Sequence, residues 1–249
     1  MIMLAQERLD TIMELLKQNK YLTVDFLVKE LNYSPATIRR DISALVKAGY
    51  AKRSYGGISL AGRSKSVIVR DHEQVADKSA ICKYAATLIN DYDTVFIVGS
   101  STVRHLLKHL QTKKNITVVT NDINLALDIS LIGIKCYCTG GLVNDGMLTG
   151  FYAINTASKI NYDICFFSAS GISSDGEITV ISEECGTLIQ NLINRSKKSV
   201  CLCTANKFNK SEFFSICNTD CVTNIITYGT NTDNFTKKIK NCILVDNSK

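Results

Sequence analysis

The stretch from Thr23 to Gly57, TVDFLVKELNYSPATIRRDISALVKAGYAKRSYGG, constrains the fold of this chain more than any other part of the sequence. Thr23 is a favourable N-cap for one helix, and Asn32-Tyr33 predicts a turn after it. Ser34 caps a second helix, and Pro35 lies in its first turn, where a missing N–H group costs nothing. A short strand, a Gly56-Gly57 turn and a return strand then predict a β-wing. This layout suits the major groove of DNA.

The second of these helices has an apolar side and a basic side. Ile38, Ile42 and Leu45 recur at helical spacing and are expected to point inward. A recognition helix places two to four side chains on base edges, and arginine can pair bidentately with guanine. The residues predicted to contact DNA are Ser34, Thr37, Arg39, Arg40 and Ser43 on the helix and Lys52, Arg53 and Tyr55 on the wing. A solvated basic helix on a small bundle is the alternative interpretation.

The charge of the chain is concentrated in the same region. Residues 1–66 contain 11 Lys and Arg against 6 Asp and Glu, a net charge of +5, whereas the remaining 183 residues contain 18 and 17. A basic module joined to a nearly neutral body is typical of proteins that bind nucleic acid.

From Val67 onward, apolar strands alternate with amphipathic helices. The predicted strands are Thr94–Val98, Ile116–Thr120, Ile134–Cys138, Asp163–Ala169, Ser199–Thr204 and Asn224–Tyr228, and the clearest helices are Lys78–Ile89, Asn124–Leu131 and Ser182–Arg195. This alternation predicts an α/β domain with a mainly parallel sheet covered on both faces. We therefore expect a winged helix-turn-helix at residues 1–60, a linker at 61–66 and an α/β domain at 67–249.

Several other classes of protein are disfavoured. No apolar run reaches the roughly 18 residues of a membrane helix. Glu7, Asp10 and Glu14 interrupt the N-terminal apolar pattern, so we expect a cytoplasmic protein without membrane contact. Of the ten cysteines, only Cys217 and Cys221 approach the spacing of a zinc site. We expect mostly buried, reduced thiols, no metal and no cofactor.

The end of one predicted strand has the features of an anion site. Gly99-Ser100-Ser101-Thr102 offers backbone N–H groups, hydroxyls and the positive end of a helix to one point. Thr120-Asn121 and Thr139-Gly140-Gly141 end two further strands, and ligands of open α/β sheets collect at such carboxyl ends. The segment predicts a phosphate cradle, although serine and threonine also cap helices where no ligand binds.

The segment SPATIRRDISALVKAGYAKRSYGG closely resembles the signature of the DeoR (deoxyribose operon regulator) family of bacterial transcription factors. Two departures are Tyr55, where the family usually has histidine, and Asn32-Tyr33, which replaces a more usual Gly-Val turn. The resemblance extends to about Tyr228. It implies a C-terminal sensor domain similar in fold to ribose-phosphate isomerases and CoA transferases, which typically senses a phosphorylated sugar.

The same resemblance implies a set of effector-binding residues. These are Arg70, Lys78, Gly99, Ser100, Ser101, Thr102, Asn121, Gly140, Gly141, Thr204 and Lys207. The last two fall on the Asp-x-x-Lys motif of the family, in which the lysine is kept but Thr204 replaces the acid. Because threonine accepts hydrogen bonds from sugar hydroxyls more weakly than aspartate, this change bears directly on which effector binds.

We therefore expect a transcriptional repressor of a carbohydrate-utilisation operon that binds operator DNA as a homodimer or homotetramer and is released by a phosphorylated sugar. One alternative is a sugar-phosphate-converting enzyme fused to a DNA-binding head, with Asp175, Glu183 and Glu184 as candidate carboxylates. Surface or capping roles are the simpler interpretation of those three residues, so we expect no enzyme. A second alternative is a constitutive DNA-binding protein whose sensor has degenerated. Arg104 and His105 are expected on an exposed helix face.

Overall fold

The computed structural model describes residues 5–19, 21–47, 50–54, 56–60, 74–229 and 239–245. The chain divides into two compact units, Met1–Val69 and Arg70–Lys249. The predicted linker at residues 61–66 lies outside the described residues, as do Tyr55 and Arg70.

The first unit combines three helices with a small antiparallel sheet. The helices are α1 (Ala5–Asn19), α2 (Val24–Leu31) and α3 (Pro35–Lys47), and the strands are β1 (Tyr21–Thr23), β2 (Ala51–Ser54) and β3 (Gly57–Leu60). The predicted wing is the β2–β3 hairpin, and β1 adds an unpredicted third strand in the order β1-β3-β2. The predicted winged helix-turn-helix is therefore the architecture of this unit.

The caps and apolar stripes of the sequence account for these helices. The Phe26 backbone N–H donates to Thr23 Oγ1 (3.0 Å) at the start of α2, and Asn32 adopts the left-handed conformation (φ 55°) that ends it. Leu27 and Ile38 are fully buried. Phe26 is 40% exposed, because α2 turns the neighbouring Leu27 toward the core.

A buried ion pair joins the first and third helices. Arg8 Nη2 donates to Asp41 Oδ1 (2.9 Å), and a second hydrogen bond links Arg8 Nε to Asp41 Oδ2. The Arg8 guanidinium also lies 4.6 Å from the centre of the Tyr33 ring. The hydrogen bond to Asp41 raises the pKa of Arg8, so the guanidinium stays charged at any accessible pH. This contact fixes α3 against α1.

The second unit is built on seven parallel strands in the order β15-β14-β12-β9-β4-β5-β6. They are β4 (Thr94–Ile97), β5 (Thr117–Thr120), β6 (Lys135–Cys138), β9 (Tyr162–Phe167), β12 (Ser196–Leu202), β14 (Asn224–Tyr228) and β15 (Cys242–Val245). The predicted α/β class and its parallel sheet are confirmed. The helix expected to carry Arg104 and His105 is a 3-10 helix, Val103–Leu106, followed by the short α5, Leu107–Leu110.

Helices cover both faces of this sheet. Helix α4 (Val75–Ala86), the 103–110 segment and α6 (Ile123–Leu131) pack on one face, around buried residues such as Ile81, Leu106 and Ile129. Helices α7 (Gly150–Ser158) and α8 (Glu183–Arg195) pack on the other face, around Ala157 and Leu188. Burial on both faces explains why the strands are continuously apolar.

Two substructures of this unit were not predicted from the sequence. One is a hairpin of β7 (Leu142–Asn144) and β8 (Met147–Thr149), followed directly by α7. The other is an antiparallel sheet, β10-β11-β13, formed by Gly171–Ile172, Glu177–Val180 and Phe214–Asn218. The apolar periodicity of the sequence indicates neither the hairpin nor the antiparallel sheet.

Two further observations concern the burial of the cysteine thiols and the length of the helices. All ten cysteines are free thiols, but four are buried, four are partly buried, and Cys138 and Cys221 are exposed, so the expectation that most are buried is wrong. Within the described ranges, no helix has the length and apolar character needed to cross a bilayer.

We predict that Asp41→Ala destabilises the first unit. Removing the Asp41 carboxylate leaves the Arg8 guanidinium buried without its partner. This lowers the free energy of unfolding by about 3–5 kcal/mol. Hydrogen exchange of the α3 amides in the full chain, followed by mass spectrometry, measures this loss. The control is the double variant Arg8→Met, Asp41→Leu, which leaves no unpaired buried charge. Its α3 amides should exchange more slowly than those of Asp41→Ala. Equal protection of Asp41→Ala and the natural chain would contradict a structural role for the pair.

Candidate DNA-binding surface and effector site

The outward side of α3 carries the predicted recognition residues. Arg39, Arg40 and Ser43 are exposed. Ser34 is engaged at the helix start, where its Oγ accepts from the Thr37 N–H (3.2 Å) and lies 2.9 Å from Thr37 Oγ1. The arginines are therefore available to a partner, while the hydroxyls of Ser34 and Thr37 also stabilise the helix end.

Hydrogen bonds fix the wing to the recognition helix. Arg53 Nη2 donates to Ser43 Oγ (2.6 Å), and Ser43 Oγ donates to the Arg39 carbonyl (2.7 Å). Because Ser43 joins the two segments, Arg39 and Arg53 line one recess together with Gly56 and Gly57. The backbone of Lys52 lies in β2, and its side chain is outside the described residues.

Gly57 is required by packing inside the protein. A Cβ atom on Gly57 would overlap the carbonyl oxygen of Leu22 in β1, and Gly56 has a positive φ of 72°. Only glycine at position 57 lets β3 lie against β1.

The predicted phosphate cradle follows β4 and begins the 103–110 helical segment. The Gly99 N–H donates to Asn121 Oδ1 (2.9 Å), and the Val103 N–H donates to Ser100 Oγ (3.1 Å). Thr102 is buried, and its carbonyl accepts from Cys82 Sγ on α4 (3.1 Å). Ser100 therefore caps the helix, as the sequence allowed, while Ser100 and Ser101 both remain partly exposed.

The β7–β8 hairpin closes one side of this loop. The Leu148 N–H donates to the Asn121 carbonyl (2.7 Å), and the Ile123 N–H donates to the Gly146 carbonyl (3.0 Å). A Cβ atom on Gly99 would overlap Met147 Sδ, so the hairpin packs directly on the cradle. The sequence does not indicate this contact between the hairpin and the cradle, because it joins residues more than 20 positions apart.

Asn121 holds these pieces together. Its Oδ1 accepts from Gly99, and its Nδ2 donates to the Leu148 carbonyl (3.4 Å). The side chain is buried, with 5% exposure. Asn121, predicted as an effector ligand, therefore positions the cradle and the hairpin relative to each other.

A buried carboxylate lies beside the same loop. Asp122 is fully buried, and its Oδ1 accepts from the Leu125 N–H (3.0 Å) at the start of α6. Its Oδ2 lies 3.4 Å from Arg104 Nε. Arg104 and His105, expected on an exposed helix face, are half-buried, because the helix packs this side against the end of β5. The Arg104–Asp122 pair was not predicted.

Four more of the predicted effector residues follow parallel strands: Gly140 and Gly141 after β6, and Thr204 and Lys207 after β12. The Thr139 N–H donates to the Thr120 carbonyl (3.1 Å), which keeps the ends of β5 and β6 together. Gly140 and Gly141 then turn the chain with positive φ angles of 74° and 117°. A Cβ atom on Gly141 would lie 2.5 Å from the Thr149 carbonyl oxygen, so this turn supports the hairpin.

Thr204 and Lys207 follow β12, which β9 separates from β4. Thr204 is 2% exposed, and its hydroxyl donates to Asn206 Oδ1 (2.7 Å), whereas Lys207 is half-buried on the single 3-10 turn Ala205–Lys207. Lys78 is buried in the first turn of α4, one helical turn before Cys82. The structure thus brings Gly99–Thr102, Asn121 and the two glycines together and places Thr204 and Lys207 farther along the same edge.

The carboxylates considered for catalysis are all exposed. Glu183 and Glu184 are exposed in the first turn of α8. Asp175 is exposed and accepts from Ser173 Oγ (2.5 Å), a hydrogen bond that holds the pKa of Asp175 below its usual range. These contacts are those of surface turns and helix starts.

Comparisons with known proteins connect both units to one family. A model described as the DeoR-like helix-turn-helix domain matches residues 8–63, and a model described as the DeoR C terminal sensor domain matches residues 73–228. Together these two models span most of the chain and include the recognition helix, the cradle and Lys207.

Individual relatives are transcriptional regulators. The HTH-type transcriptional regulator GolR of Listeria innocua is 32% identical over 89% of this chain and 89% of its own. The lactose phosphotransferase system repressor of Staphylococcus epidermidis is 27% identical over 85% of this chain and 87% of its own. A ribose 5-phosphate isomerase A structure from Methanocaldococcus jannaschii covers 53% of each chain at 13% identity and a TM-score of 0.40, too distant to support an argument.

We predict that Gly99→Ala destabilises the second unit through its clash with Met147. The added Cβ has no space beside Met147 Sδ and lies 2.8 Å from Asp122 Cβ. Overpacking of this kind typically costs about 1–3 kcal/mol. Urea unfolding of Gly99→Ala, Met147→Ala and the double variant gives the coupling energy. If the two changes add without coupling, the hairpin does not press on the cradle.

Proposed function

This chain belongs to the DeoR family of transcriptional regulators, and we propose that it represses a carbohydrate-utilisation operon until a phosphorylated sugar releases it from its operator. The repression and the class of effector follow the family resemblance and the nature of the two sites. The relative named as a lactose phosphotransferase system repressor is consistent with this role.

The arrangement of arginines on α3 and the wing supports DNA binding most directly. Arg39 and Arg40 are exposed on the helix, and Arg53 is tied to Ser43 at 2.6 Å. A single rigid surface can therefore place guanidinium groups on base edges and phosphates at once. Asp41, which lies between these positions, is turned inward by Arg8, so no carboxylate of α3 opposes the phosphates.

A sugar phosphate is supported by the loops at the carboxyl edge of the sheet. The cradle at Gly99–Thr102 supplies hydroxyls and the start of a helical segment, and Lys207 supplies a cation at the same edge. We propose that Gly99–Thr102 receives the phosphate and that Lys207 contributes to effector binding. The buried Thr204 hydroxyl already donates its proton to Asn206, so towards a sugar hydroxyl it can act only as an acceptor, and without the charge of an aspartate.

Non-catalytic sensing is the better-supported role for the second unit. Isomerisation needs a base placed against the proton next to a carbonyl group. The candidate carboxylates Asp175, Glu183 and Glu184 instead occupy a surface turn and the exposed start of α8. Turnover of hexose or pentose monophosphates by the pure protein would favour the enzyme alternative.

We predict that Arg39→Ala and Arg40→Ala each weaken operator binding. Loss of one bidentate base contact removes about 1–3 kcal/mol of binding free energy, or roughly 5- to 150-fold in affinity. Gel shifts on the upstream region of the chain's own gene measure the effect at fixed salt concentration. The matched control is Lys198→Ala, which removes an exposed positive charge from the second unit. Unchanged affinity in both arginine variants would contradict the assignment of α3.

We predict that Lys207→Ala abolishes release from the operator and leaves operator binding intact. The lysine is proposed to contact the effector, whereas no DNA contact is assigned to its unit. Gel shifts with a panel of hexose and pentose monophosphates, beside the same unphosphorylated sugars, provide the measurement. Lys210→Ala is the control, since Lys210 is an exposed lysine three residues away. If no member of the panel releases the natural chain, the constitutive alternative gains support.

A further inference from the structure

Cysteines are concentrated on one face of the seven-stranded sheet. Six of them belong to the core beneath α7 and α8: Cys165, Cys185, Cys201, Cys203, Cys217 and Cys242. Cys221 is exposed on the single 3-10 turn that follows β13, and the Cys217 and Cys221 thiols share a hydrogen bond. This is the pair whose spacing approaches that of a zinc site, although no three potential metal ligands converge within the described residues. An exposed thiol therefore lies in contact with a partly buried one.

A tight turn brings these two thiols together. Cys217 lies on β13, and the Val222 N–H donates to the Thr219 carbonyl (3.4 Å), which closes the 3-10 turn between them. Asn241 Nδ2 holds this turn from outside, donating to the Thr219 carbonyl (2.8 Å) and to the Val222 carbonyl (2.6 Å). The chain thus reverses within a few residues, and Cys221 returns to the side of Cys217.

The two thiols differ in their access to solvent and in their acidity. Burial, with the neighbouring thiols of Cys221 and Cys201, raises the pKa of Cys217 to about 12. Cys217 is therefore a protonated thiol at neutral pH, whereas the thiolate is the form that attacks an oxidant. The exposed Cys221 meets a dissolved oxidant first. Once Cys221 becomes an uncharged sulfenic acid, its charge no longer opposes ionisation of Cys217.

We propose that Cys221 and Cys217 form a reversible disulfide when the chain meets a hydroperoxide, with Cys221 as the oxidised residue and Cys217 as the resolving thiol. The Cys221 thiolate attacks one oxygen of ROOH, the O–O bond breaks, and the leaving alkoxide takes up a proton as ROH. Cys217 then attacks the Cys221 sulfur, the S–O bond breaks, and hydroxide leaves as water with the Cys217 proton. Two thiols and one hydroperoxide give one disulfide, one ROH and one water, and the two electrons lost by the sulfurs reduce the O–O bond.

Two other pairs of cysteines lack one of the two requirements, access and geometry. Cys201 and Cys203 share a hydrogen bond, but both are fully buried, so a dissolved oxidant does not reach them. Cys136 and Cys138 combine a partly buried thiol with an exposed one, but they lie two residues apart on the strand β6. Two residues advance an extended chain by roughly 6.6 Å, whereas a disulfide needs its Cβ atoms about 3.5–4.5 Å apart. Cys138 therefore provides a matched control.

Peptide mapping of the full chain after treatment with hydrogen peroxide tests the disulfide. The remaining thiols are alkylated with N-ethylmaleimide in denaturant, and the chain is cleaved with trypsin. Residues 211–237, between Lys210 and Lys237, contain no cysteine besides Cys217 and Cys221. We expect this peptide to lack both labels and to be lighter by two hydrogen atoms. Cleavage before Asp220 should leave its two halves joined until dithiothreitol separates them.

Three serine variants separate the roles of the two thiols. In Cys217→Ser, the oxidised Cys221 has no resolving thiol and should be trapped as a sulfenic acid by dimedone. In Cys221→Ser, Cys217 should need at least about tenfold more peroxide for its oxidation, because it is partly buried and protonated. Cys138→Ser should form the disulfide to the same extent as the natural chain. Circular dichroism before the addition of peroxide checks that each variant is folded.

Three results would overturn the proposal. The first is full labelling of Cys217 and Cys221 at a peroxide concentration that oxidises Cys138, the other exposed thiol. The second is a disulfide with different partners, either Cys217 with Cys201 or Cys221 with a thiol of another chain, which a non-reducing gel detects. The third is a failure of dithiothreitol to restore both labels on residues 211–237, since the bond would then not be reversible.

Discussion

The direction of the strands in the larger unit determines where its chemistry can lie. Parallel strands need a crossover connection between one strand and the next, and the crossovers of this seven-stranded sheet bury both its faces under helices. The interior is consequently apolar, with fully buried residues such as Phe96, Phe166 and Ile226. The polar residues of the proposed effector site therefore lie outside this interior, in loops at the strand ends. Gly99–Thr102, Asn121, Gly140-Gly141 and Lys207 all follow strand ends for this one reason.

The smaller unit depends on a different kind of constraint. Its apolar core is formed by three helices and three short strands, and α3 contributes Ile38, Ile42 and Leu45 to it. The charged hydrogen bonds between Arg8 and Asp41 add an orientation that apolar packing alone does not specify. Ser43 then carries this orientation to the wing through Arg53. The positions of the DNA-facing arginines thus depend on polar contacts behind and beside the recognition helix.

The sequence was informative wherever a feature is encoded within a few neighbouring residues. The caps at Thr23 and Ser34, the apolar strands and the glycine turns are local signals, and the winged helix-turn-helix and the parallel sheet could both be predicted from them. Contacts between distant residues could not. Asp41 lies 33 residues from Arg8, and nothing near Asp122 indicates Arg104 as its partner. The β7–β8 hairpin was missed because its strands have only three residues each, too few for a period of two to be recognised.

The strand order also leaves β6 at one edge of the seven-stranded sheet. Edge strands have unpaired backbone groups that can recruit strands from other chains and seed aggregates. Here the edge is only four residues long and begins with the exposed Lys135, whose Nζ lies 5.2 Å from the centre of the Tyr137 ring. The Lys135 ammonium would have to lose its hydration water before a strand of another chain could pair with β6. This cost disfavours aggregation through the edge. The edge of the sheet therefore favours solubility of the chain at the concentrations at which copies meet.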